Sequence, residues 1–593
     1  MDNTTSSLMN LRVPQQTLDS LSFADKHEKG ISQWIAELPK ANIGETARQL
    51  YQGLIELNQL KVSPEKRLAM LELLRPQVHY VCSALSRYYL GQSIVLEDRP
   101  RKVANLSQSL QNHLATGYKI VVAQEGSMKS RGRADDLSLA IQRAIRTLSG
   151  PLLRAYQLYC PVADGIWLEI HQLYQLARKR GLQHVSVNDS ESASGKELSI
   201  EQSYLAIMLL GTARPNQMRQ SSMARLFSVL ENWSSMATLV EPEAATALFI
   251  INPDMDCPPR YRSLILDEDL TGSLGLDTRH LVDAIKQYLL DGEQSSNNRL
   301  HLPEGLGLEL LQHVSESWGD LAERTFNRMP GRGDMRITIG MSATHFHIAG
   351  SSFTRFIKVE DDNPFSEAGQ RARQEGWTSA FDGDQTVDWG GSLEQINYSS
   401  EGADDGDSAE DHPIHSLRIV NHSPGGFCLT WPREVPRQLQ AGELLGIQEA
   451  PDQGWSLAVV RWIRQVRGGG TQMGIELIAP HCTPCAIKLL RKTDAPSQYL
   501  RALLVPEVVA IDRPSTLLTP RMPFQVNNKV LLLLGDQELR AQLVERISAT
   551  GSFSQFKHHI LESELRPDQK SDSGRAGLSV VAEDDFDSLW KSL

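Results

Sequence analysis

The stretch Ser416-Leu417-Arg418-Ile419-Val420-Asn421-His422-Ser423-Pro424-Gly425-Gly426-Phe427-Cys428-Leu429-Thr430-Trp431 decides how the chain is read. Apolar residues lead in through Leu417, Ile419 and Val420 and resume at Phe427, Cys428, Leu429 and Trp431. This pattern predicts a strand, a tight polar turn and a second strand. Asn421 tolerates unusual φ and bonds its own backbone, Ser423 does so more weakly, and the glycines permit positive φ. Taken alone, such a turn is an ordinary hairpin.

The context gives it another meaning. About ninety residues upstream lies Arg328-Met329-Pro330-Gly331-Arg332, with two arginines four apart in a segment whose proline and glycine forbid a helix. Downstream, Ala458–Arg464 (AVVRWIR) and Met473–Leu477 (MGIEL) alternate as strands. These residues together resemble the PilZ family, small β-barrels that bind the bacterial second messenger cyclic di-GMP. Family members carry RxxxR on a loop before the first strand and [D/N]xSxxG at the following turn. Arg328 and Arg332 fill the first pattern; Asn421, Ser423 and Gly426 fill the second. The resemblance covers roughly residues 321–494.

One feature departs from the family. Its two motifs usually stand a few tens of residues apart, and here the gap is about ninety. The excess reads as an insertion into a hairpin, with 336–349 (RITIGMSATHFHIA) as the first strand and 415–420 as the next. The alternative is that RMPGR is a solvated loop and the barrel lacks its arginine clamp.

Around the barrel the expected fold class is multidomain α + β. A mainly α-helical domain at 44–320 precedes the PilZ-like antiparallel barrel at 321–494, and a second small β domain follows at 495–562. A flexible segment, 1–43, opens the chain, and a linker and tail, 563–593, end it. In the helical region Ala47, Leu50, Tyr51, Leu54, Ile55, Leu57 and Leu60 form an apolar stripe. Ser63-Pro64-Glu65 is a helix start. Arg75-Pro76 and Gly150-Pro151 read as interruptions. Short β-like runs at 237–240, 247–251 and 261–266 suggest a mixed subregion. No nucleotide loop, catalytic triad or kinase signature occurs there, which leaves a partner-binding or regulatory role.

The chain has 593 residues, a formal net charge of −12 and six scattered cysteines. An acidic protein is a poor partner for duplex nucleic acid, whose binding rests on basic surface. No apolar run reaches the length of a membrane span. The start has no signal-peptide pattern, and a reducing cytoplasm suits the cysteines. Much of the charge sits in 351–413, which holds 15 acidic against 4 basic residues and reads as a disordered insertion or long loop. At the end of the chain Phe586, Leu589, Trp590 and Leu593 fall on one side of a short amphipathic helix. It is too short to stand alone and should dock on the body or a partner, so Phe586, Leu589 and Trp590 are candidate partner-binding residues.

Arginine suits a cyclic dinucleotide because its planar fork takes phosphate oxygens or a guanine edge with two hydrogen bonds and also stacks on the base. Asn421 and Ser423 would add neutral donors and acceptors, and Gly426 would hold the turn. Arg336 is expected to begin a strand facing water. Weaker sites compete. His345 and His347 would share a strand face and, with His412, His415 or His422, could hold a metal for hydrolysis. Cys482-Thr483-Pro484-Cys485 is a lone CxxC. Asp382, Asp384 and Asp388 loosely resemble a calcium loop. The preferred expectation is a cytoplasmic, non-enzymatic cyclic di-GMP effector without cofactor, acting through an unidentified protein partner on surface attachment, motility or pili. The rival is an interaction scaffold whose barrel has lost its ligand.

Overall fold

The computed structural model describes residues 11–127, 134–192, 197–291, 300, 302, 306–319, 328–357, 409–432, 434–468, 470–490, 498–507 and 514–565. The chain divides into two compact units, Met1–Glu323 and Arg324–Leu593.

The first unit opens with α1 (Glu28–Glu37), α2 (Ile43–Gln59), α3 (Pro64–Ser86), α4 (Asp98–Ser127), α5 (Ala134–Gln157) and α6 (Ile166–Arg180). The strand pair β1 (Ser186–Val187) and β2 (Leu198–Ser199) precedes α7 (Ile200–Thr212) and α8 (Gln220–Trp233). Then β3 (Thr238–Val240), β4 (Phe249–Ile251), β5 (Arg260–Tyr261) and β6 (Leu274–Asp277) form a sheet in the order β3-β6-β4-β5. The helices α9 (Arg279–Asp291) and α10 (Leu308–Ser317) complete it. The expected apolar stripe is the buried face of α2: Ala47, Leu50, Leu54 and Leu57 are fully buried.

Two prolines expected to interrupt helices do not. Pro76 lies inside α3 and Pro151 inside α5. An interior proline costs a helix about 3 kcal/mol. Here Leu71, Leu74, Val78 and Val81 of α3 and Ile145, Leu148 and Leu152 of α5 are buried on both sides of the break, and packing of an amphipathic face outweighs one lost backbone bond. The expectation of a flexible opening is also corrected. Leu11 and Leu21 are buried, Leu18 bridges Leu60, and α1 buries Ile31; residues 1–10 lie outside the described residues.

A buried ion cluster fastens the segment between β1 and β2. Asp189 is fully buried and meets Arg75 at 2.7 Å, Arg143 at 3.1 Å and Arg146. Burial alone would raise the Asp189 pKa; the three guanidiniums hold it well below the usual carboxylate range.

The second unit contains β7 (Met329–Pro330), β8 (Asp334–Ile339), α11 (Gly340–Ala349), α12 (Phe353–Phe356), β9 (His415–Ser423), β10 (Gly426–Trp431), β11 (Leu444–Gln448), β12 (Ser456–Gln465) and β13 (Thr471–Ala479). Antiparallel pairings β8–β9, β9–β10, β10–β13, β13–β12, β12–β11 and β11–β8 close a six-stranded ring, and β7 attaches to the free part of β9. Met335, Ile337, Leu429, Leu445, Ile463 and Met473 are fully buried.

A second ring follows: β14 (Thr483–Leu489), β15 (Leu500–Val505), β16 (Thr516–Pro520), β17 (Lys529–Leu534), β18 (Gln537–Ala549) and β19 (Phe553–Leu565). Its order is β14-β15-β16-β19-β18-β17. Numbered within each barrel, both rings run first, second, third, sixth, fifth, fourth. Strand β14 belongs to this second ring, so the expected boundary at 494 moves to the turn before Thr483.

The two barrels share a core. Leu444, Leu457, Val459 and Ala479 of the first meet Leu503, Val505, Leu518 and Phe553 of the second, and Met341 and Ile348 of α11 pack beside them. Each fully buried large apolar side chain contributes about 1.5–3 kcal/mol. This cluster therefore opposes separation of the barrels, and a ligand that shifted one against the other would have to break it.

Candidate functional site

The arginine loop lies against the turn motif. Met329 pairs with His422 and Pro330 with Asn421 in an antiparallel register. Gly331 N–H donates to Val420 O at 3.1 Å, and Ile419 N–H donates to Gly333 O at 3.0 Å. Proline cannot donate, and it sits where strands tolerate it, on an edge. A side chain at Gly331 would place its Cβ 2.3 Å from Ile419 Cγ2, and Gly333 has φ +93°. Both glycines thus let the loop lie flat on β9. Arg328 and Arg332, exposed at the two ends of β7, have no hydrogen-bond or ion-pair partner among the described residues.

On β9, Asn421 and Ser423 are two apart and so point from the same face; both are half-buried. Asn421 stands opposite Cys428, and Ser423 opposite Gly426. Ser423 Oγ donates to Gly426 O at 3.4 Å. Gly426 has φ +154°, and a Cβ there would lie 2.0 Å from Ile475 O on β13. The glycine of the motif is required by this close approach of two backbones. Gly425 O accepts from Leu477 N–H at 3.1 Å, fixing the turn to β13.

Cys428, buried between the motifs, has its thiol pKa raised by burial, against the opposing pull of the Arg328 and Arg464 charges. Arg336 does not face water as expected. Its guanidinium donates to Gln448 Oε1 and stands 5.7 Å over the Trp455 ring, which removes it from the exposed arginine pair. The chain therefore brings a cationic pair, an amide, a hydroxyl and a tight glycine turn to one patch of the barrel.

Comparison with known proteins assigns the chain to a family. Three family models match consecutive parts of the chain: the N-terminal domain of the cyclic-di-GMP receptor FimW at 29–244, its middle PilZ domain at 248–484 and its C-terminal β-barrel domain at 485–561. The cyclic-di-GMP receptor FimW of Pseudomonas aeruginosa is 52% identical over 601 aligned residues, covering 99% of each chain. The chain belongs to the FimW family. No solved structure matches it. The family's middle model starts at 248 and so takes in β4–β6, α9 and α10, which pack in the first unit. Trp318, just after α10, donates from Nε1 to Leu209 O at 3.2 Å and Thr212 Oγ1 at 3.1 Å, tying that region to α7.

Among the described residues the histidine and cysteine candidates do not come together as metal or redox sites. The expected strand 336–349 is a strand only to Ile339; α11 follows from Gly340, whose φ of +85° breaks the extended run. His345 and His347 therefore lie on a helix two residues apart, about 200° around its axis rather than on one face. His345 Nε2 is 3.2 Å from Cys485 O, and His347 Nε2 is 2.7 Å from His412 O. His415 packs against Trp431. Among the described residues no group of three His, Cys, Asp or Glu could hold a metal. Burial pushes the Cys482 thiol up to about 12 and Cys485 higher still, so this CxxC is core rather than redox chemistry. No described helix is long and apolar enough to cross a membrane. Residues 358–408, including Asp382, Asp384 and Asp388, and the tail with Phe586, Leu589 and Trp590 lie outside the described residues.

Proposed function

We propose that this protein is a non-catalytic receptor for cyclic di-GMP, with Arg328 and Arg332 as the clamp and Asn421, Ser423 and Gly426 as its fixed floor. The observation that carries this reading is the pairing of Met329–Pro330 with Asn421–His422. The pairing supports treating the intervening residues as an insertion and RMPGR as part of the barrel. A barrel that had lost its ligand would have no need of two exposed arginines held by this register. The name of the Pseudomonas aeruginosa relative, a cyclic-di-GMP receptor, supports the same reading.

The two arginines would take the anionic phosphates or guanine edges, while Asn421 and Ser423 complete the polar contacts. Ligand would order the clamp on β9 and change the affinity for a protein partner by linkage. The helical unit is the proposed partner surface, and attachment, motility or pili the proposed output, in the cytoplasm where the messenger would be met. Equilibrium dialysis with labelled cyclic di-GMP, competed by unlabelled cyclic di-GMP and separately by GTP, tests the reading. Selective, saturable uptake is expected; uptake equal to that of a non-binding control protein overturns it.

A further inference from the structure

The second barrel carries exposed apolar side chains on its longest strand pair. The β18–β19 ladder shifts register three times, between Arg540 and Ala541, Leu543 and Glu545, and Arg546 and Ser548. Three residues fall outside the paired register there: Leu561 on β19, and Val544 and Ile547 on β18. All three are large and apolar, and they are 43%, 50% and 45% exposed. A bulge sets two residues against one on the partner strand and re-aims the extra side chain. Val544 thereby joins Glu545 opposite Lys557, and the Glu545–Lys557 ion pair at 2.6 Å marks the outer face. The inward residues Ala541, Leu543 and Phe556 are fully buried in the barrel core.

The patch has an apolar extension and a cationic border. Asn527 N–H donates to Leu543 O at 2.7 Å and Leu543 N–H to Asn528 O at 3.0 Å. These bonds lay the loop before β17 along β18, next to Val544, and Val526 in that loop is also exposed. Lys529, Gln542 and His559 share one row of the register, and Arg546 lies between Val544 and Ile547 in sequence. Lys529 and Arg546 are exposed and have no ion-pair partner among the described residues. Apolar surface singled out by successive bulges and bordered by unpaired cations is the mark of an interaction site.

A segment that fits this face follows it in the same chain. Strand β19 ends at Leu565, and Glu583–Leu593 (EDDFDSLWKSL) comes after residues 566–582. Those intervening residues reach up to about 56 Å when extended. The pair Leu565–Gln537 lies ten residues along β18 from Ile547, a distance of about 34 Å. Phe586, Leu589, Trp590 and Leu593 recur at helical spacing over about 10 Å of helix axis, and Val544 and Ile547 stand about 10 Å apart along their strand. Glu583, Asp584, Asp585 and Asp587 complement Lys529 and Arg546 in charge. We infer that 583–593 docks as a short amphipathic helix on the outer face of β18–β19, its apolar side on Val544, Ile547 and Leu561 and its acids toward Lys529 and Arg546. A helix this short does not hold alone in water, and the barrel supplies the surface it lacks. Tethering gives an effective concentration of order 1 mM, so a contact of about 100 μM between separate molecules is about nine-tenths formed within one chain.

Hydrogen exchange of the full chain, read by mass spectrometry on the peptide 583–593, tests this. In wild type these amides should exchange about tenfold more slowly than in a synthetic 583–593 peptide, as a nine-tenths docked segment does, and equally at low and high protein concentration. The V544D/I547D double variant should return them to the rate of the free peptide. K529E/R546E should cut the protection by about two- to fivefold, the worth of exposed ion pairs. L264S/L266S, at leucines exposed in the first unit, should leave it unchanged. Exchange at the free-peptide rate in wild type overturns the docking. Protection that appears only at high concentration assigns the helix to a second copy and overturns the contact within one chain. Protection kept in V544D/I547D places the helix elsewhere and overturns the site. Should that variant fail to fold, a photoreactive benzoylphenylalanine in place of Phe586 in the otherwise intact chain decides: cross-links within 522–561 support the site, and cross-links confined to other residues overturn it.

Discussion

Pro330 stands directly across from Asn421 in an antiparallel pair, although about ninety residues of sequence separate them. One strand contact thus joins the two halves of the proposed ligand motif. It also explains why the insertion is tolerated: β8 and β9 still pair, Met335 with Leu417 and Ile337 with His415. Extra residues in a surface connection add closure entropy only slowly with length.

Replacing Arg328 or Arg332 by alanine should cost the ligand a charge-assisted contact, about 1.5–3 kcal/mol or a 10- to 150-fold loss of affinity. Both side chains are exposed and have no partner among the described residues, so the melting temperature should stay within about 1 °C. Paired titration and thermal melts check this.

Gly331→Ala separates placement from chemistry. It leaves both arginines but drives a Cβ into Ile419. Affinity should fall at least tenfold, with some loss of stability as well, because Ile419 stands opposite the core residue Leu429. Wild-type affinity in this variant would show that the loop need not lie on β9.

Gly426→Ala should damage fold and site together. The added Cβ meets the Ile475 carbonyl at 2.0 Å, and overpacking of this kind costs about 1–3 kcal/mol. Chemical denaturation should show that loss along with failed ligand binding.

Much of the scaffold of this candidate site was legible in the sequence, because the residues proposed to bind and the residues that turn the chain are the same few. Asn421, Ser423 and Gly426 declare a turn by their backbone preferences. The strands at 427–431, 456–465 and 471–479 declare themselves by alternation. The α11 helix was not legible: Ile337, Ile339, Met341, Phe346 and Ile348 suit a strand as well as a helix, and only the left-handed Gly340 and burial between two barrels decide. Pro76 and Pro151 misled because local propensity lost to tertiary packing.

Acid should destabilise the helical unit before it protonates Asp189. Burial lowers the pKa of His171, between Tyr204 and Cys257 O, and of His313, at Ala213 O, although their backbone contacts and the Asp256 charge near His171 pull the other way. A histidine depressed in the fold takes up its proton more readily when unfolded. Stability is therefore full above about pH 6.5, the unfolded histidine value, and declines as pH falls below it. Urea denaturation at pH 7.5, 6.0 and 5.0, followed by a probe in the first unit, should show this decline; a flat profile would contradict it.

The central claim is that the paired motifs form one cyclic di-GMP site. Calorimetric titration of the intact protein with cyclic di-GMP, with GTP as control and Arg332→Ala beside it, tests this most directly. Saturable binding at micromolar concentration or tighter is expected, absent with GTP and largely lost in the variant. No heat with cyclic di-GMP, together with an unchanged melting temperature, would contradict it and leave the barrel as architecture alone.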